Sequence, residues 1–211
     1  MGRIYGGPTG EVSGKVGPVV FVKSKHGNFV RSGYTYNSKQ SEAQRYQRTK
    51  MKATMAFLAP LKEVLRAAFI PDKPKRAAFQ AANSYHLKEA MRFTEQGYVV
   101  DYPIALLSSG NLPVPENATQ TLQPDNELLL QWADNSNRPL AKPTDHLMAV
   151  AFALESNNFI YQLHLANRQD TTALIPLPED WTGQTVHVWV GFTQETPKRA
   201  SSTVYLGVVG W

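Results

Sequence analysis

Apolar residues recur at helical spacing through the middle of the chain. Met51, Met55, Leu58, Leu65 and Phe69 form a stripe with a 3.6-residue period. Ser41 stands before it as a candidate N-cap, and Gln44 three residues on completes a capping-box signature. Pro60 lies inside the stripe. Proline has no N–H and its ring clashes with the preceding turn, so a kink or a break is expected near Ala59. Pro71-Asp72-Lys73-Pro74 ends the run. A second helix is predicted from Lys75 to Phe93, with Phe79, Ala82, His86, Ala90 and Phe93 on one face. The two helices read as an αα-hairpin.

The pattern differs on either side. The first 36 residues are punctuated by Gly2, Gly6, Gly7, Gly10, Gly14, Gly17, Gly27 and Gly33, which mark turns and bulges. Within them Val19–Lys23 and Asn28–Ser32 read as a hairpin turning at Lys25-His26-Gly27. A lone hairpin is marginal in water and needs a surface to dock on. Beyond Val99 the period becomes two. Strands are predicted at Val99–Leu107, Glu127–Trp132, Leu147–Leu154, Phe159–Leu165, Thr171–Ile175, Thr185–Phe192 and Thr203–Val209. In Val186-His187-Val188-Trp189-Val190-Gly191-Phe192 the even positions are predicted to face the core, with His187 and Trp189 facing outward or toward a partner. The fold class is therefore α+β: an N-terminal β-hairpin plus αα-hairpin, followed by an all-β fibronectin type III or Ig-like sandwich. With no cysteine pair, fibronectin-like is the better description.

Charge sharpens the division. Up to Tyr98 there are 17 Lys and Arg against 6 Asp and Glu; from Val99 onward there are 5 against 11. Two modules are expected, a basic one over 1–98 and an acidic sandwich over 99–211. With no cysteine, disulfides, Cys-based zinc sites and thiolate chemistry are excluded. No apolar run follows the first charges, and none approaches the ~20 residues of a membrane span. A cytoplasmic protein with no membrane partner is expected. Asn117-Ala118-Thr119 is a glycosylation sequon that matters only after secretion.

Catalytic chemistry finds little to build on. Gly10-Glu11-Val12-Ser13-Gly14-Lys15 has only three residues between its glycines, and Val16 stands where a phosphate loop needs Ser or Thr. His146, His164 and His187 fall on predicted strands beside Asp145, a zinc-capable set of residue types without a metal motif. His86 reads as a hydrogen-bonded core or interface histidine rather than a ligand. There is no Gly-x-Ser-x-Gly elbow, and Glu179-Asp180 read as a solvated turn. No catalytic residue, cofactor or metal is assigned. Arg45, Arg48 and Lys52, at i, i+3 and i+7, share a helix face; with Lys23, Lys25 and Arg31 they form the candidate surface for an anionic partner. Trp189 and Trp211 are candidate interface aromatics, whereas Trp132 reads as sandwich core.

Several segments carry a family resemblance: Gly14-Lys15-Val16-Gly17-Pro18-Val19-Val20, Arg31-Ser32, Ser41-Glu42-Ala43-Gln44, Gln47-Arg48 and Ala56-Phe57-Leu58-Ala59-Pro60-Leu61. Trp132-Ala133-Asp134-Asn135, Pro178-Glu179-Asp180-Trp181-Thr182-Gly183 and Ser202-Thr203-Val204-Tyr205-Leu206-Gly207 extend it over nearly the whole chain. Together they resemble a group of roughly 200-residue Bacteroidota proteins known as a domain of unknown function. Lys25-His26-Gly27 replaces the Trp-Lys-Gly usual there. The resemblance implies no activity. Its Ser-x-x-Gln-x-x-x-Arg segment is similar to segments of phage-associated proteins.

The leading expectation is thus a non-enzymatic structural or interaction protein, a homo-oligomer or a subunit of a larger assembly such as a virion. The alternative is a sequence-non-specific nucleic-acid-binding protein that uses the basic module on phosphates.

Overall fold

The computed structural model describes residues 2–4, 13–25, 27–33, 40–73, 75–95, 97–196 and 198–210. The chain divides into two compact units, Met1–Arg45 and Tyr46–Trp211. The boundary expected between Tyr98 and Val99 instead falls inside a strand of the second unit, Gly97–Val100.

In the first unit the expected hairpin is widened to a four-stranded antiparallel sheet. It comprises β1 (Gly2–Ile4), β2 (Gly14–Val16), β3 (Val19–Val22) and β4 (Asn28–Ser32), in the order β1-β4-β3-β2. Gly27 holds φ +114° in the β3–β4 turn, as its position predicts, and donates its N–H to the Ser24 carbonyl at 3.0 Å. Residues opposite one another share a face. Lys15, Val20 and Arg31 form one row; Val16, Val19 and Ser32 form another, on the opposite face. In β2, β3 and β4 no residue is buried.

Helix α1 (Glu42–Leu58) starts on the predicted capping box. The Gln44 N–H donates to Ser41 Oγ at 3.3 Å, and the Ser41 N–H donates to Gln44 Oε1 at 3.2 Å. Pro60 breaks the helix. The chain turns through Ala59-Pro60-Leu61 and restarts as α2 (Lys62–Ala68). The second predicted helix is shorter than its apolar spacing suggested: α3 spans Ala78–Lys88. Its expected last turn is instead strand β5 (Met91–Thr94), paired with β6 (Gly97–Val100). Phe93, Thr94, Tyr98, Val99 and Val100 favour a pleated surface, and Gly97 at φ +116° supplies the turn.

Eight further strands follow: β7 (Glu116–Leu122), β8 (Glu127–Ala133), β9 (His146–Ala153), β10 (Asn158–Asn167), β11 (Thr172–Pro176), β12 (Val186–Gln194), β13 (Arg199–Ala200) and β14 (Val204–Val209). They form two antiparallel sheets, β11-β8-β7 and β10-β9-β12, with β13 and β14 both pairing with β12. Leu128, Leu130, Trp132 and Ile175 of the smaller sheet pack on Ala149, Ala151, Val188, Val190 and Phe192 of the larger. The other face of the larger sheet, through Met148, Val150, Phe152 and Trp189, packs under Phe57, Leu58, Leu61, Val64 and Leu65 of the helices. This unit therefore has three layers: helices, sheet, sheet.

The double covering corrects the reading of β12. The even positions face the inter-sheet core, as predicted, but Trp189 is 0% exposed and His187 only 7%. Their side of the strand is covered, Trp189 by Phe57 of α1 and His187 by Tyr102 and Tyr205, rather than open to solvent or a partner. The strand predicted over Val99–Leu107 is also replaced. Beyond β6 the chain forms a strap that ties the layers together. The Ile70 N–H donates to the Ser109 carbonyl at 2.8 Å, and Ser108 Oγ donates to the Ser201 carbonyl at 2.7 Å. Gly110 lies so close to this seam that a Cβ would run into the Ala200 carbonyl. Strand β7, not predicted, is a polar edge with Ala118 and Leu122 turned to the core.

Phe57 joins helix to sheet, its ring centroid 5.5 Å from Phe159, 6.0 Å from Phe152 and 6.3 Å from Trp189. Truncation to alanine leaves a cavity among all three. Phe57→Ala is expected to cost about 3–5 kcal/mol of stability, measured by urea unfolding followed by far-UV circular dichroism.

Candidate interaction surfaces

The predicted cations divide between the two units. Lys23, Lys25 and Arg31 are exposed on the first, with Arg31 beside Val20 in the row that carries Lys15. Arg45, Arg48 and Lys52 recur along α1 and are exposed, while the helix buries Thr54, Phe57 and Leu58. Residues 1–45 hold seven Lys and Arg against two Asp and Glu, whereas residues 46–211 hold fifteen of each. The formal +5 of the chain therefore resides in its first 45 residues.

The second unit is balanced in total but polarised. Thr185 donates its N–H to Glu155 Oε2 at 2.8 Å, Ser156 donates its N–H to Gln184 Oε1 at 3.0 Å, and Leu177 donates its N–H to the Asn126 carbonyl at 2.8 Å. These bonds gather the β7–β8 turn, the β9–β10 turn and the 177–185 segment at one end of the sandwich. Asp125, Glu127, Glu155, Glu179 and Asp180 lie there, and these segments contain no Lys or Arg. The Thr185 hydrogen bonds hold the Glu155 carboxyl below its ordinary range. Glu179-Asp180 thus belong to an acidic end, not merely to a solvated turn.

A surface missed from the sequence joins α1 to the β5–β6 hairpin. Tyr46, Phe93 and Tyr98 meet edge to face, with centroids 5.7 Å and 5.1 Å apart, and Lys50 Nζ stands 5.4 Å over the Tyr98 ring. Phe93 is 56% exposed and Tyr46 43%. Assigning Phe93 to a helix hid its pairing with Tyr98. Of the two interface aromatics predicted, Trp189 is buried and Trp211 lies outside the described residues, as do His26 and residues 10–12 of the Gly10–Lys15 loop.

The histidines do not converge. His146 and His164 stack with centroids 4.4 Å apart and planes at 5°, so their in-plane lone pairs cannot aim at a common ion in this arrangement. His187 lies elsewhere, its Nδ1 2.7 Å from the Tyr205 hydroxyl and its ring 4.0 Å from Tyr102. Asp145 is committed to Arg168. Both side chains are fully buried, with Arg168 Nη2 and Nε at 3.0 and 3.1 Å from Asp145 Oδ2. Arg168 also donates to Asn135 Oδ1 and stacks 3.7 Å over Phe192. Among the described residues, no group of three or more His, Cys, Asp or Glu is placed to hold a metal. None of their helices is long and apolar enough to cross a membrane.

A family model described as "Family of unknown function (DUF6266)" matches residues 11–207. The chain belongs to this family. No curated protein matches it. Among solved structures, the fn3 domain of the human collagen alpha-1(XX) chain is similar over 49% of this chain and 87% of that one, at 14% identity and a TM-score of 0.34.

Two buried histidines link stability to pH. Desolvation lowers the pKa of His86, against a hydrogen bond from its Nδ1 to the Ala82 carbonyl at 2.8 Å that favours the charged form. Desolvation likewise lowers that of His187, against the attraction of Glu155. The unfolded chain binds these protons first, near pH 6.5, so stability is full above that value and falls as pH drops through and below it. Thermal melts are expected to show Tm falling between about pH 7.5 and pH 5.5, with a shallower fall in His86→Leu.

Proposed function

We propose that this protein is a non-enzymatic structural and interaction protein that self-associates as a subunit of a larger assembly. The observation that carries this reading is the separation of charge. The net positive charge belongs to residues 1–45, and the sandwich of the second unit has one end with five carboxylates and no cation in its turns. The basic unit of one copy and the acidic end of another are complementary, and such a head-to-tail contact closes into a ring or extends into a filament. The first unit adds its own need: a sheet whose strands β2, β3 and β4 bury no residue gains from a surface that covers it. Within this reading the scaffold is a fibronectin type III-like sandwich. Counting β7 to β12 and then β14 as strands one to seven, one sheet runs one-two-five and the other four-three-six-seven, which supports that assignment.

Nucleic-acid binding is the second reading. It rests on the exposed Arg45, Arg48 and Lys52 face of α1. Salt-sensitive gel retardation of single-stranded DNA by the full chain would favour it; no retardation at low salt removes it.

Light scattering is the test of the leading reading. Particle mass is expected to fall between about 0.02 M and 0.5 M salt, as the screening length shrinks to a few ångströms. Reversing the acidic end with Glu179→Lys and Asp180→Lys is expected to abolish the larger low-salt particles. A mass indifferent to salt overturns the reading.

A further inference from the structure

We propose that the outer edge of β10 is a self-pairing edge, through which two copies of this chain form a continuous antiparallel sheet about a twofold axis. This uncharged contact is additional to the charged one proposed above and does not depend on it. An exposed sheet edge presents a row of unpaired backbone N–H and C=O groups, and folded proteins blunt such edges with charge, proline, bulges or a cover. The other outer strands of the sandwich carry these devices. Strand β7 opens with Glu116 and has a register shift between Glu116 and Thr119. Strand β11 ends at Pro176. Strand β14 is bulged opposite Val188/Trp189, and its Leu206 carbonyl accepts a bond from Gln120 Nε2 at 3.2 Å.

β10 differs. Its sequence, Asn158-Phe159-Ile160-Tyr161-Gln162-Leu163-His164-Leu165-Ala166-Asn167, contains no Lys, Arg, Asp, Glu or Pro. Its pairing with β9 is regular from Asn158 to Gln162, and the bulge comes only after Gln162. Among the described residues, no backbone hydrogen bond joins its outer side to another strand. Five residues of regular, uncharged edge form a template for an extended strand. A second copy is the occupant this edge suits best. Antiparallel self-pairing places neutral side chains opposite neutral side chains, so identical strands meet without the like-charge repulsion that a charged edge imposes on itself. Phe159 and Tyr161 are already turned toward the helical core, where the Tyr161 hydroxyl donates to Glu63 Oε2 at 2.8 Å. Pairing therefore adds a strand without rearranging the layers.

The decisive measurement is the mass of the full chain at about 0.5 M salt, where the charged contact is screened. Two chains per particle are expected. Asn158→Lys with Gln162→Lys, at two exposed positions of β10, is expected to halve that mass with unchanged tryptophan fluorescence. One chain per particle in the wild type at its highest soluble concentration overturns the proposal. So does a double variant that remains two-chained, because the pair then forms through another surface. Amide exchange of the wild type gives an answer that needs no variant. The outward amides between Asn158 and Gln162 are expected to be protected at high concentration and released on dilution; equal exchange at both overturns the proposal. Salt-dependent mass with one chain at high salt would leave the charged assembly standing and remove only this edge contact.

Discussion

The second unit depends on one strand being buried on both sides. All nine residues of β12 are buried, from Val186 to Gln194. Valine and phenylalanine at its even positions face one core, and Trp189 with His187 faces the other. A strand that is half of two cores cannot leave either without exposing the other. The helices therefore do not form a module beside the sandwich; they are its third layer. Trp189 secures this arrangement from inside, its indole N–H donating to the Tyr102 carbonyl at 3.2 Å. The strap from Asp101 to Leu112 closes the seam from outside.

The same logic explains the buried ion pair at the end of the sandwich opposite the acidic turns. Arg168 is drawn below its ordinary pKa by desolvation and supported by Asp145, while Asn135 and the Pro113 carbonyl take further N–H groups. Burying a guanidinium is tolerable only when its donors are so occupied. The return is positional: the segment before β7 and the β8–β9 connection converge on one side chain. Trp132 joins them, donating its indole N–H to the Arg168 carbonyl at 2.7 Å.

Local chemistry was legible wherever a residue acts on its own backbone. Ser41 and Gln44 announce the start of α1, Pro60 its end, and Gly27 the turn of the first hairpin. Period-two alternation placed six of the sandwich strands to within a residue or two. What escaped was set by partners distant in sequence. His187 and Trp189 read as outward because alternation identifies one buried face and cannot reveal what covers the other, Phe57 over Trp189 and Tyr102 with Tyr205 over His187. Phe93 fitted a helical stripe as well as it fits a strand, and its pairing with Tyr98 decided between them. The charge division was visible but misplaced. The cations of 46–98 belong to the unit that contains the sandwich, where they balance its carboxylates. Only the surplus of 1–45 remains. Surface function was the least legible: exposed cations read alike whether they meet phosphate, carboxylate or water.

The placement of tryptophan has a practical corollary. Trp132 and Trp181 sit in one core and Trp189 in the other, and residues 1–45 contain no tryptophan at all. Indole emission from these three residues consequently reports on the three-layered body alone. The amino-terminal sheet is optically dark in that channel. A single cooperative fluorescence transition would therefore say nothing about whether those first 45 residues melt early, late or in step with the remainder.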